Sequence, residues 1–257
     1  MTIRLADIHV AGSFAEARRP LFADLHLEIP DGARVGVLGA PKSGKTTLLR
    51  LMCGTMAADR GFVERTSRVS WPIPLATFLV PASTVAQNIR FVARLYGVAG
   101  DEFPRSTAKM AALAEFLNTP LKKCPKFVKP RLALALGIGL DFDIYLFDGS
   151  FAPADKEFKE QAAQIVAERM QGRGFVLATG AAAEVEKNCD SVYILESGQV
   201  KYFADAKEGV EYFKQLLAAE KEKQAAAVEK GAADAGEGED EGLGDIDMLG
   251  AAIADEL

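Results

Sequence analysis

The chain has 257 residues, 49% of them hydrophobic, enough for one α/β domain with a substantial core. Its net charge of −6 is uneven: residues 231–257 carry nine acidic side chains and no Lys or Arg, which leaves about +3 for the first 230 residues (−6 less −9). That balance gives no support to a nucleic-acid partner; the N-terminus Met1–Asp7 has no long apolar h-region and no window approaches 18 apolar residues free of charge, so neither a signal peptide nor a membrane span is expected.

Ile3–Val10 alternates as a strand, residues 12–20 form a polar loop, and Leu21–Ile29 alternates again up to the turn Pro30-Asp31-Gly32. The two strands predict a small antiparallel layer. Arg34–Leu38 reads as a buried strand. It leads into Gly39, Ala40, Pro41, Lys42, Ser43, Gly44, Lys45, Thr46 and Thr47, which fit G-x-x-x-x-G-K-[ST], and an apolar helical pattern runs on to Met52. This strand–loop–helix context suits a phosphate-binding loop. Gly39 and Gly44 let the backbone curl so that its N–H groups face an anion. The helix N-terminus points at the same anion. Lys45 supplies a point charge, and the Thr46 hydroxyl is placed for Mg²⁺.

Beyond the loop, Arg60–Val63 turns into a strand, and Val69–Pro74 reads as Pro-rich and irregular. Thr84–Tyr96 predicts a helix with Val85, Ile89, Val92 and Leu95 on one stripe. Ser106–Leu117 predicts a second amphipathic helix and Pro130–Leu140 an apolar one. Ile144–Asp148 reads as a buried parallel strand. Its terminal Asp148 is suited to hold Mg²⁺ beside the phosphate loop or, more plainly, to cap the next turn. Lys156–Met170 predicts a helix, Gly174–Thr179 a strand, Ala182–Lys187 a short helix, and Ser191–Glu196 and Val200–Phe203 two closing strands. Residues 208–230 predict a helical extension with Val210, Phe213 and Leu217 on a narrow stripe. Residues 231–245 have a disordered composition. At the end, Ile246, Leu249, Ile253 and Leu257 recur at helical spacing behind Asp245. That pattern suits either a docking helix for a basic groove or a solubilising tail. Cys53, Cys124 and Cys189 are widely spaced, as structural thiols in a reducing compartment would be.

The order of β layer, phosphate loop, helical insert, Arg131–Leu136, Ile144–Asp148 and Asp190–Val200 resembles the ATP-binding subunit of an ABC transporter. Ser70-Trp71-Pro72, Asn88–Phe91, Ala93–Gly97 and Asp141–Leu146 resemble the branch that exports capsular polysaccharide, with relatives serving O-antigen and teichoic acid export. The resemblance covers about residues 3–205. It implies an α/β P-loop NTPase of ABC type, with a mixed core sheet, an antiparallel β subdomain and a helical subdomain near residues 84–140, over a nucleotide-binding domain of residues 1–207. It also implies ATP and Mg²⁺ as cofactors, a homo- or heterodimer, an integral membrane permease as partner, and a peripheral position on the cytoplasmic face of the inner membrane.

Several family positions differ. The Gly-rich signature before Arg131 reads Cys124–Pro130, with no Gly from Asp101 to Leu136, and Phe127 stands where backbone must approach phosphate. Lys126 and Lys129 remain there, either to attract phosphate or as a solvated basic turn. The carboxylate expected after Asp148 is Gly149, and Glu157 is too far along the chain to replace it. The switch histidine falls at Gly180, and His9 and His26 both precede the phosphate loop, as polar positions of the first β layer. The position of the glutamine that links Mg²⁺ to the transporter-facing insert is best matched by Leu79, and Gln87 reads as helix surface. The adenine-stacking aromatic has no clear match, with Gly12 near its place and Phe14 a weak substitute. The expectation is a Mg-ATP-binding subunit with weak or absent hydrolysis. The rival is a non-hydrolysing adaptor or regulator on the same fold.

Overall fold

The computed structural model describes residues 2–12, 20–75, 77–151 and 157–219. Alternation at the start of the chain folds as β1 (Thr2–Ala11) and β2 (Pro20–Pro30), paired antiparallel. The pairing slips between Leu5 and Ile8, where Asp7 adopts φ 53°, so that Leu5, Ala6 and Ile8 all reach the interior. β3 (Arg34–Gly39) is almost wholly buried and feeds α1 (Lys45–Cys53). β4 (Arg60–Arg65) joins the free side of β1, completing a three-stranded antiparallel sheet ordered β2-β1-β4.

The segment expected to be irregular is a strand. β5 (Val69–Ile73) forms one edge of the core sheet, where Pro72 needs no N–H on its open side. Buried Ser70 repairs the shifted ladder: its hydroxyl accepts from Leu146 N–H at 2.9 Å and donates to the Trp71 carbonyl at 2.8 Å.

α2 (Val85–Leu95) starts at Thr84, which forms a capping box with Gln87. Gln87 N–H donates to Thr84 Oγ1 at 3.1 Å, and Thr84 N–H donates to Gln87 Oε1 at 2.8 Å. Gln87 is exposed, as expected, but it also closes this cap. Thr84→Ala is expected to lower stability by about 1 kcal/mol, read as a shifted denaturant midpoint with an unchanged slope.

α3 (Glu102–Met110) ends sooner than its apolar pattern suggests. Ala112 sits at φ 51°, and a 3₁₀ turn over Ala114–Phe116 replaces the last helical turns. α4 (Val128–Gly139) is buried along most of its length, and Gly137 lets it approach β5, because an added Cβ would lie 2.6 Å from Ile73.

β6 (Ile144–Asp148), α5 (Lys159–Arg169), β7 (Gly174–Thr179), α6 (Ala182–Asn188), β8 (Ser191–Glu196) and β9 (Gln199–Phe203) follow. The core sheet has six strands ordered β5-β6-β7-β3-β8-β9, parallel except for β9. Val35, Val37, Ile144, Leu146, Val176 and Ala178 face α1, which is enclosed between this sheet and the inner face of the antiparallel one. α6 covers the opposite face of the core sheet, where Gly36 leaves room for Val185.

Residues 206–219 are helical, with Val210 and Phe213 buried. The chain divides into compact units Met1–Lys214 and Gln215–Leu257, and in the second only residues 215–219 are described. The expected end of the helical extension, the acidic linker and the terminal docking segment lie outside the described residues, as does Phe14. The three cysteines are free, and burial pushes the Cys189 thiol up to about 12.

Candidate functional site: a phosphate loop facing a carboxylate

β3 delivers the loop to the carboxyl-terminal edge of the core sheet, between β7 and β8. The loop turns tightly, with Ser43 N–H donating to Ala40 O at 3.2 Å and Lys42 at φ 68°. Two glycines are required by contact. A Cβ at Gly39 would lie 2.3 Å from Ser43 Oγ, and one at Gly44 would lie 2.7 Å from the Phe22 ring, at a left-handed φ of 100°. Gly44 caps α1 without a side chain, and its carbonyl accepts from Leu48 N–H at 2.8 Å. The N–H groups of Lys45, Thr46 and Thr47 therefore have no partner inside the helix and are available to an anion.

Lys45 folds back over the loop. Its Nζ donates to the carbonyls of Gly39 at 2.6 Å and Ala40 at 2.8 Å. Burial lowers its pKa, and the negative charge of Asp148 partly offsets that. Thr46 Oγ1 donates to Asp148 Oδ2 at 2.8 Å, joining the two halves of the expected metal site across 102 positions of chain. Ser43 Oγ is buried and has no hydrogen-bond partner among the described residues.

An unsatisfied hydroxyl, a half-buried ammonium, free helix-start amides and a hydroxyl–carboxylate pair fit a nucleoside triphosphate with its Mg²⁺. Gly39 to Thr47 would hold the phosphates, and Thr46 with Asp148 would hold the metal. The structure brings all of these sequence-selected residues together.

The departures from the family pattern have their own geometry. Gly149 sits at φ 107°, and its N–H donates to Ala178 O at 2.8 Å. Gly180 has no positive φ, and a Cβ added there would meet nothing within 4 Å. Leu79 is buried. Phe127 is half-buried at the start of α4, with its ring 5.8 Å from Phe116 and the Arg131 guanidinium 4.5 Å above it. The rings and the cation hold it in place.

Lys126 and Lys129 are exposed. His26 lies in the antiparallel sheet, with Nε2 3.2 Å from Asp24 and 3.4 Å from Asp7. His9 is half-buried in β1.

Ser150 Oγ donates to Glu184 Oε1 at 2.7 Å, linking the segment after β6 to α6. Asn88, which the sequence marks only as part of the family resemblance, is buried and ties Val80 to α2 through both its amide oxygen and its amide nitrogen. No local pattern marks the Ser150 pair. Asn88 was detectable as the polar residue beside Ile89 on the apolar stripe.

Comparison with known proteins follows the same lines. Residues 22–148 match the family model described as ABC transporter. The chain is 31% identical to the ATP-binding protein BexA of Haemophilus influenzae, over 76% of this chain and 90% of that protein. It is 30% identical to the capsule polysaccharide export ATP-binding protein CtrD of Neisseria meningitidis serogroup B, over 77% and 92%. A solved ATP-binding subunit of an ABC transporter shares the fold, with a TM-score of 0.66 at 21% identity, over 78% of this chain and 88% of that one. The phosphate loop, its strand and helix, and the facing Asp148 stand within this common framework, and the chain belongs to the ABC transporter family.

Proposed function

We infer that the protein is the ATP-binding subunit of an ABC transporter that exports capsular or related cell-surface polysaccharide. In this reading it binds Mg-ATP and turns it over weakly or not at all. The observation that carries nucleotide binding is the Lys45–Thr46–Asp148 arrangement at the mouth of the phosphate loop. The export assignment rests on relatives named for capsule polysaccharide export and polysialic acid transport.

Weak turnover is supported by the missing carboxylate at Gly149, the missing side chain at Gly180, the buried Leu79 and the anchored Phe127. A general base cannot act where there is no side chain. Pairing with an intact partner leaves both composite sites altered, because one site takes this chain's Gly149 and Gly180 and the other takes Phe127.

No helix among the described residues is long and apolar enough to cross a membrane; in this reading a permease subunit carries the glycan. On α2, Phe91 is 48% and Leu95 is 65% exposed, one helical turn apart, and Tyr96 adjoins them. This is the surface we assign to the permease.

Trinitrophenyl-ATP titration beside a phosphate-release assay, with and without co-purified permease, tests the reading. Saturable binding with phosphate release at background in both preparations is the expected result. Robust release abolished by Lys45→Ala would overturn the weak-turnover part. Phe91→Asp with Leu95→Asp is expected to remove permease co-purification at an unchanged melting temperature. If the wild-type chain binds nucleotide but never co-purifies with a permease, the adaptor reading replaces the exporter.

A further inference from the structure

On the sheet face away from α1, helices α5 and α6 leave a cavity of about 370 Å³ between them. Its volume lies within the range of small-ligand pockets and is far larger than the voids of a close-packed core. Phe175 comes from β7, and Phe151 stacks on it edge-on at 5.3 Å. Val166 and Met170 of α5 extend this apolar lining.

The charged lining is lopsided. Arg34, Lys159 and Lys187 contribute three cations, none of them in an ion pair among the described residues, against the single carboxylate of Glu184. That carboxylate is half satisfied. Oε1 accepts from Ser150, while Oε2 is buried without a hydrogen-bond partner among the described residues. A buried carboxylate oxygen left without a donor is costly. No residue of the phosphate loop lines this cavity, so it is separate from the nucleotide site.

We propose that the cavity between α5 and α6 is a second ligand site, which takes a small amphipathic organic anion. The apolar body of the ligand lies on Phe151, Phe175, Val166 and Met170. Its acidic group meets the positive charge of Arg34, Lys159 and Lys187, and an N–H or O–H group of the ligand satisfies Glu184 Oε2. Ser150, two residues after Asp148, joins this site to the segment that carries the metal carboxylate. The proposal stands whether or not the nucleotide reading does.

The probe is 8-anilinonaphthalene-1-sulfonate, which has an aromatic body, one sulfonate and one N–H. It is titrated calorimetrically into the full chain without nucleotide. One probe per chain is expected. Ala163→Trp places a large side chain at an exposed position of the cavity wall. That variant and Lys187→Glu should each weaken binding about tenfold or more, with circular dichroism and melting temperature unchanged. The uncharged analogue N-phenyl-1-naphthylamine should bind about tenfold more weakly. Absent binding, a stoichiometry above one, or an affinity indifferent to Ala163→Trp overturns the site. An affinity that responds to Ala163→Trp but ignores both Lys187→Glu and loss of the sulfonate overturns its preference for anions.

Discussion

Replacing Lys45 by Met is expected to weaken Mg-ATP binding about 10- to 100-fold while the domain stays folded. Met keeps much of the apolar stem and removes the ammonium. In the structure that ammonium is half-buried and, among the described residues, donates to two carbonyls of its own loop, at 2.6 and 2.8 Å. Those bonds hold the loop curled, and in the proposed reading the same group would meet phosphate when nucleotide binds. A hydrogen bond to a charged group contributes about 1.5–3 kcal/mol, which is about one to two decades in affinity. Fluorescent-nucleotide titration measures the loss, and a denaturant melt with unchanged slope confirms the fold. Affinity unchanged in Lys45→Met would remove this loop from the binding site.

Restoring the missing carboxylate should fail because of the backbone conformation at Gly149. Gly149→Glu is expected to lower the melting temperature and leave phosphate release at background. At φ 107° any L side chain is strained, and the backbone cannot rotate away without breaking the Gly149 N–H bond to Ala178 O at 2.8 Å. Such strain costs about 1–3 kcal/mol, or about 3–10 °C in a domain of this size. Gly180→His is the contrast: a Cβ meets nothing within 4 Å at either glycine, but the Gly180 backbone has no positive φ. That variant should melt within a degree or so of the wild type, because surface changes away from strained or buried features fall within about ±0.5 kcal/mol. A Gly149→Glu variant as stable as wild type, with phosphate release above background, would show that the backbone after Asp148 relaxes and that turnover lacks only the carboxylate.

The difference between these two glycines could not be read from the sequence, where each is only a missing side chain. Conformation separates them. The chain after β6 passes through a left-handed turn, while the chain after β7 does not. Val69–Pro74 was misjudged for a related reason. Two prolines argue against a strand until the sheet order places this one at an edge and supplies Ser70 to repair the ladder. The helix expected to reach Leu117 stops at Met110, because apolar spacing does not register the left-handed Ala112.

Other features were legible because their physics is local. Gly39 and Gly44 are dictated by what backbone must do around an anion. The buried strands Arg34–Gly39 and Ile144–Asp148 are marked by unbroken apolar runs between polar ends. The Thr84–Gln87 cap is a spacing rule within four residues, and it could have been recognised from the sequence. Sequence alone thus determined the phosphate loop, the strand ending in Asp148 and the fold class. Only the tertiary structure decided that Thr46 meets Asp148 at 2.8 Å, that Gly149 has a left-handed backbone where Gly180 does not, and that Ser150 and Glu184 meet beside a charged cavity. Each of these is a contact, or a backbone state imposed by contacts, between segments far apart in the chain. Periodicity and local motifs carry no information at that range.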